Sequence, residues 1–328
     1  MHIRTHLIVV AFAAAMPATA DLELPLRPVN TYSIVARDAQ TGELGVAVQS
    51  HWFSVGSRVL WAAPGVGAVA TQSFVDPSYG PLGLQLMRAG KDASQALRAL
   101  LTIDEHANVR QVGMVDANGV VANHTGDMSI DEHCEIAGDN FTVQANLMWK
   151  ATVCDAMVAA YSSSKGDLAE RLMRALEAAQ GEGGDIRGSQ SAALLVVSND
   201  RSLPAWGGRV FDLRVEDDAE PLVELRRLLM MNRAYNLMNE GDEHMTVGAI
   251  EAAVKAYGAA EALLPDSHEM IFWHAATLAG AGQVDESLPL FGKAFAMWPP
   301  WRELVTRLPA SGLLPDDPEL MRKILAVK

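Results

Sequence analysis

The order in which hydrophobic periodicity changes along the chain restricts its fold more than any single motif does. From residue 31 the pattern runs strands, two helices, strands, two helices, strands. Alternation with period two marks Asn30 to Asp38 and Glu43 to Ser50, with the Asp38-Ala-Gln-Thr-Gly42 turn between them, so these runs predict a hairpin. Arg58 to Ala63 and Val66 to Ser73, around Pro64-Gly65, predict two more strands that extend it into a meander. Helical spacing follows at Leu82, Leu84 and Met87, and again from Ala93 to Leu101, with Gly90 between the two helices and Asp92 as a cap. Val109 to Val115 and Val120 to His124 flank an Asn118-Gly119 turn, the strongest short hairpin signal. A strand at Phe141 to Gln144, helices at Met148 to Ser162 and Asp167 to Ala179, and strands at Gln190 to Val197 and Arg209 to Val215 complete the series. That order predicts an α+β domain in which helix pairs cover both outer faces of stacked antiparallel sheets.

A second module is expected after it. The chain has 328 residues, 49% hydrophobic and 20% charged, enough for one large core and a smaller one. Beyond a helix at Glu220 to Asn239, the residues Gly248, Ala253, Tyr257, Ala260 and Pro265 recur thirty-four positions later as Gly282, Ser287, Phe291, Ala294 and Pro299. Thirty-four is the tetratricopeptide period, and the module resembles two such repeats followed by helices around Trp301 to Leu308 and Pro318 to Ala326. Ser287 in place of Ala253, and an irregular stretch near Glu240 to Met245, depart from that pattern. The boundary is drawn at residues 229 and 230.

The first twenty residues read as an address. A weak basic start, the apolar run Leu7 to Met16 and the small-x-small Ala18-Thr19-Ala20 form an export signal, and residues 21–30 a short pro-segment or linker. A periplasmic or secreted protein is expected, with no membrane insertion. The formal charge of −14 disfavours nucleic acid as a partner. Cys134 and Cys154 can bridge only if the fold brings their Cα atoms within about 7 Å. Two unpaired small hydrophobes are the simpler reading. His124, Asp127, Asp131, Glu132, His133 and Cys134 crowd together, but their spacing fits no zinc or calcium site and suits a solvated loop. No metal or other cofactor is expected.

Thr31 stands at the open end of the first hairpin and shares a strand face with Ser33 and Val35, so two hydroxyls line whatever that face borders. Around it, Thr31-Tyr-Ser-Ile-Val-Ala-Arg-Asp38, Gly45-Val-Ala-Val48, Gly65-Val-Gly-Ala-Val-Ala-Thr-Gln72, Pro77-Ser-Tyr-Gly80, Val143-Gln-Ala-Asn-Leu147 and Gly184-Asp-Ile-Arg-Gly-Ser-Gln-Ser-Ala192 occur in order. Over Thr31 to Leu229 the chain resembles the bacterial family called domain of unknown function 1028. That family resembles the N-terminal nucleophile (Ntn) hydrolases, which implies a four-layer αββα sandwich and amide hydrolysis.

In that class a free α-amine activates the hydroxyl of the same residue, so the resemblance makes Thr31 the nucleophile and requires a cut between Asn30 and Thr31. Asn146, at a strand end, is a candidate oxyanion donor, with the role of an ordinary strand terminator as the competing reading. Gln72 and Ser33 are further polar candidates, and His51 is a candidate for the same cleft, with packing beside Trp52 and Phe53 as the competing and commoner reading. The loop Gly181 to Ser191 follows a helix, precedes a strand and lacks a lysine, which disfavours phosphate binding. Within it Arg187 can grip a carboxylate while Asp185 receives an amine or orients the guanidinium, and a structural Asp–Arg pair is the competing reading. The expected substrate is a small amide or peptide-like molecule, with a protein partner on the helical repeats and self-association left open. The alternative is a non-catalytic envelope scaffold that recruits a partner through the repeats.

Overall fold

The computed structural model describes Val29, residues 31–204 and residues 206–327. The expected export signal, and the expected pro-segment or linker apart from Val29, lie outside the described residues. The strands β1 (Thr31–Arg37) and β2 (Leu44–Ser50) form the expected hairpin, pairing Thr31 with Ser50 at its open end. At its closed end the Asp38 carboxylate accepts the backbone N–H groups of Gln40 and Thr41, and Gly42 takes φ 75°. A short helix α1 (Gly56–Val59) precedes β3 (Leu60–Ala63) and β4 (Gly67–Ser73), so Arg58 and Val59 are helical where the sequence predicts strand.

Next come α2 (Tyr79–Arg88) and α3 (Ala93–Ile103). Asp92 caps α3 in a reciprocal box with Gln95, its carboxylate 2.7 Å from the Gln95 nitrogen. The strands β5 (Arg110–Asp116), β6 (Val121–Thr125), β7 (Cys134–Gly138) and β8 (Phe141–Ala145) lead to α4 (Val153–Ser163) and α5 (Leu168–Gly181). The sequence reading misses β7, taking its start as loop, because Cys-Glu-Ile-Ala-Gly is short and sits in an acidic stretch. It also starts α4 five residues early, across a turn. The strands β9 (Ser191–Val197) and β10 (Arg209–Val215) close the region.

The sheets are not one meander. One has the order β10-β9-β2-β1-β8-β7 and the other β3-β4-β5-β6, both antiparallel, so β3 and β4 leave the first hairpin for a second sheet. Alternation then sorts each strand. Tyr32, Ile34 and Ala36 of β1 pack toward α4 and α5, while Val35 joins Val46, Val48, Ala68 and Val115 between the sheets. On the far side Val69, Val112 and Met114 pack with Ala96, Leu97 and Leu100. The layers therefore run helices, sheet, sheet, helices.

A disulfide joins Cys134 on β7 to Cys154 on α4 with a Cα separation of 6.2 Å. It corrects the simpler reading of two unpaired thiols. The misjudged stretch is the same one: once residues 134–138 are an edge strand beside β8, α4 passes within bridging distance.

The helix α6 (Pro221–Thr246) carries the chain out of this domain and is longer than predicted. Its first half puts Leu222, Leu225 and Leu229 into the core beneath the six-stranded sheet, and its second half puts Ala234 and Met238 against Ala253, Tyr257 and Ala260. The boundary at 229 and 230 thus falls inside one continuous helix. Helices α7 (Ile250–Leu263), α8 (His268–Gly280), α9 (Val284–Met297), α10 (Trp301–Val305) and α11 (Pro318–Ala326) follow. The repeat positions fall at corresponding places in their turns and helices. Gly248 and Gly282 take φ 75° and 80° in the turns before α7 and α9, and Tyr257 and Phe291 are both buried. Ser287 is fully buried too, its hydroxyl satisfied by the Val284 carbonyl at 2.7 Å, which lets it stand where the first repeat has Ala253. Among the described residues no helix is long and apolar enough to cross a membrane.

Candidate functional site

Between the two sheets the core changes character along β1. Where Val35 faces across it is aliphatic, but toward the start of the strand it becomes a run of amides and hydroxyls with no exposure to solvent. Thr31, Ser33, Ser50, Gln72, Gln111, Gln144 and Asn146 all have 0% relative exposure. Each polar atom taken from water costs unless it is bonded, so a seam of this size persists only if its members satisfy one another. They largely do. The Ser33 hydroxyl donates to Gln72 Oε1 at 2.6 Å and accepts from Gln144 Nε2 at 2.7 Å. Gln72 Nε2 donates to Gln111 Oε1 at 2.7 Å and to the Thr31 carbonyl at 3.2 Å. Gln111 Nε2 in turn reaches the Ala145 and Cys134 carbonyls and the Thr125 hydroxyl. A Cβ on Gly113 would lie 2.4 Å from Gln144 Oε1, so the glycine is what admits that side chain.

Asn146 completes the seam. Its backbone N–H donates to the Thr31 carbonyl at 3.1 Å, and its Nδ2 donates to Gln111 Oε1 at 2.8 Å. The second bond fixes the orientation of the amide, since a flipped Asn146 would set two acceptors against each other. Among the described residues its Oδ1 is then buried without a hydrogen-bond partner, as is the Ser73 hydroxyl. Backbone strain gathers here as well: Leu147 and Ser73 adopt φ 55° and 66°, in the left-handed region that such residues avoid.

The Thr31 hydroxyl donates to the Val29 carbonyl at 2.8 Å and lies 3.3 Å from the Ser50 hydroxyl. Val29 is buried and exchanges two backbone hydrogen bonds with Ser73, at 2.6 and 3.0 Å, so it lies against the end of β4. The hydroxyl is therefore turned to Val29, and the Thr31 nitrogen is an amide with no basic lone pair. Among the described residues, no imidazole or amine shares a hydrogen bond with Thr31.

The loop after α5 is stitched to the strands on both sides of β1. Met148 bridges Asp185, the Ile186 N–H donates to the Leu147 carbonyl, and the His51 N–H donates to Asp185 Oδ2 at 3.2 Å. The Asp185 side chain has no exposure and also accepts from the Arg187 backbone N–H, Nε and Nη2 at 2.9, 3.1 and 2.7 Å. At least four donors thus meet the Asp185 carboxylate, three of them from Arg187. The Arg187 side chain is about a third exposed, and Ile186 and Trp149 are 49% and 60% exposed. His51 is exposed, and its backbone rather than its ring meets Asp185. Burial, with the Asp185 charge adding to it, pushes the Tyr32 phenol well above its ordinary value, so it stays a neutral donor to Gln180 Oε1 at 2.9 Å.

The structure brings Thr31, Ser33, Gln72 and Asn146 into one network and sets Asp185 and Arg187 beside it. Sequence reasoning misses Gln111 and Gln144. Thr142, Gln144 and Asn146 alternate with Phe141, Val143 and Ala145 as a solvent-facing row would, and only the second sheet above makes that row interior. Gln111 offers a better clue, because it falls in phase with Gly113 and Val115 on a core face. His124 and Cys134 of the acidic stretch are engaged elsewhere, the ring on the Ala107 carbonyl at 2.7 Å and the sulfur in the disulfide.

The model of a family of unknown function, DUF1028, matches residues 31–225. A crystal structure of a DUF1028-family protein from Silicibacter pomeroyi is similar at 29% identity with a TM-score of 0.54, covering 61% of this chain and 88% of that one. The ancestral β-subunit Anbu from Yersinia bercovieri matches at 11% identity and a TM-score of 0.32, over 61% of this chain and 93% of its own, too distant to carry an argument. No curated protein matches the chain.

Proposed function

This chain belongs to the DUF1028 family, and from that premise and the inter-sheet seam we propose an exported Ntn-type amidohydrolase that cleaves a small amide or peptide-like substrate through Thr31. The observation that carries the reading is the fully buried Thr31 hydroxyl, set at the end of a carboxamide network and turned to the Val29 carbonyl of the segment ahead. Removal of that segment frees both the hydroxyl and an α-amine whose ordinary pKa, near 7.7–8.0, suits a base at neutral pH. Thr31 Oγ1 then attacks the substrate carbonyl carbon and its proton passes to the amine. The tetrahedral oxyanion is met by the second Asn146 N–H, the first being held by Gln111. Breaking the C–N bond sends the proton out with the leaving amine, and water hydrolyses the ester left on Thr31.

Arg187, held flat by Asp185, receives a carboxylate of the substrate. The layer order supports an Ntn-hydrolase-like sandwich, and the matching helix positions and burial of the thirty-four-residue repeat support two tetratricopeptide-like repeats. The test compares Thr31→Ser and Thr31→Ala for release of amine from a panel of aminoacyl anilides, in protein that begins at residue 31. Serine should keep activity within about a hundredfold and alanine should abolish it, because only serine retains the attacking oxygen. Equal turnover by the alanine variant would overturn the assignment.

A further inference from the structure

The helical module holds a cavity of about 620 Å³ between α6, α7, α8 and the loop at Gly312 and Leu313, far from the seam in sequence and not used by the chemistry above. A cavity of that size is in the range that takes a ligand of several residues or rings. Its walls combine the aromatic rings of Tyr235, Tyr257 and Trp273 with the apolar Met238 and two carboxylates, Asp242 and Glu269. No lysine, arginine or histidine lines it.

The carboxylates are placed by the tyrosines. The Tyr257 hydroxyl donates to Asp242 Oδ1 and the Tyr235 hydroxyl to Glu269 Oε2, which leaves Asp242 Oδ2 and Glu269 Oε1 without a hydrogen bond or ion pair among the described residues. Tyr257 is itself fixed, since Gly241 packs so closely against its ring that a Cβ there would lie 2.7 Å away. Two carboxylates without an ion pair among the described residues, beside aromatic faces, favour a cation over a neutral or anionic group. The surrounding module is acidic as well, with 13 Asp and Glu against 8 Lys and Arg over residues 230–328.

We infer that this cavity binds a lysine or arginine side chain of an extended peptide segment from a partner protein, with the neighbouring apolar side chains of that segment on Met238, Trp273 and Leu313. The cavity is several times larger than one alkylammonium group, and its apolar wall continues to Leu313, which is 55% exposed, so a cation with flanking residues fills it better than a free amine. The inference stands apart from the proposed hydrolysis and survives its failure.

The test is calorimetric titration of the full-length protein with a blocked peptide, acetyl-Ala-Leu-Lys-Leu-Ala-amide, against analogues carrying norleucine or glutamate in place of lysine, and against butylammonium alone. The lysine peptide should bind at least about tenfold more tightly than the norleucine peptide, and the glutamate peptide should not bind. The preference should vanish in the Asp242→Asn, Glu269→Gln double variant, whose amide oxygens still accept the tyrosine hydroxyls and whose fold is checked by its unfolding midpoint. It should also weaken at high salt, as an exposed charge contact does. Equal binding of the lysine and norleucine peptides, or a preference that survives the double substitution, would overturn the inference. Butylammonium binding as tightly as the peptide would overturn the peptide assignment in favour of a small organic cation.

Discussion

At the scale of the residue, Gln111 is the pivot of the seam. One carboxamide accepts from Gln72 and Asn146 and donates to Thr125, Cys134 and Ala145, so it fixes the amide that faces the Thr31 carbonyl. Replacing it with leucine keeps the volume but strands the Asn146 Nδ2 donor and removes a donor from the Cys134 and Ala145 carbonyls in a buried layer. Gln111→Leu should cost about 2–4 kcal/mol of stability, read from denaturant midpoints, as each unsatisfied group costs about 1–3 kcal/mol with partial relaxation. A change under 0.5 kcal/mol, on the order of experimental error, would show that the network is dispensable. Arg187→Lys separates two roles. If the planar fork grips a substrate carboxylate, the Michaelis constant should rise roughly tenfold or more, while the midpoint moves by no more than about 1–2 kcal/mol because lysine keeps a charge beside Asp185. A lowered midpoint with an unchanged Michaelis constant would make the pair structural.

At the scale of the element, the disulfide is placed to hold more than two elements together. It pins the first residue of edge strand β7 to α4, and the Cys134 carbonyl is one of the acceptors of Gln111 Nε2. Closing a loop of 20 residues is expected to contribute about 3 kcal/mol. The Cys134→Ala, Cys154→Ala variant should therefore melt several degrees lower, and its turnover should fall along with its stability, because β7 supports the seam. Unchanged melting would mean that β7 is held by its pairing with β8 alone. How far such elements were legible follows their periodicity. The β1–β2 hairpin, the Asp92 cap and the two helix pairs carry strong local signals, and the structure has them within a few residues. The short β7 and the sheet membership of β3 and β4 depend on partners distant in sequence, which no local pattern encodes. The polar row of β8 is the least legible, since alternation records which residues share a face but not whether water or another sheet lies above it.

At the scale of the whole molecule, α6 is the shared part. Leu222, Leu225 and Leu229 belong to one core and Ala234 and Met238 to another, so the helix joins two hydrophobic units without a linker. A chain ending at Asn239 keeps every residue of the first core and should retain a cooperative unfolding transition, while baring the apolar stripe that packs on α7. Loss of cooperativity would show that the two units fold as one. The hydrolytic account makes a sharper demand on the molecule. Its amine base does not exist until the peptide bond before Thr31 is cut, so maturation and activity must appear together. The most direct measurement is the intact mass of exported protein that hydrolyses an amide substrate. The account predicts a chain that begins at Thr31, and active protein that still carries Val29 and Asn30 would contradict it.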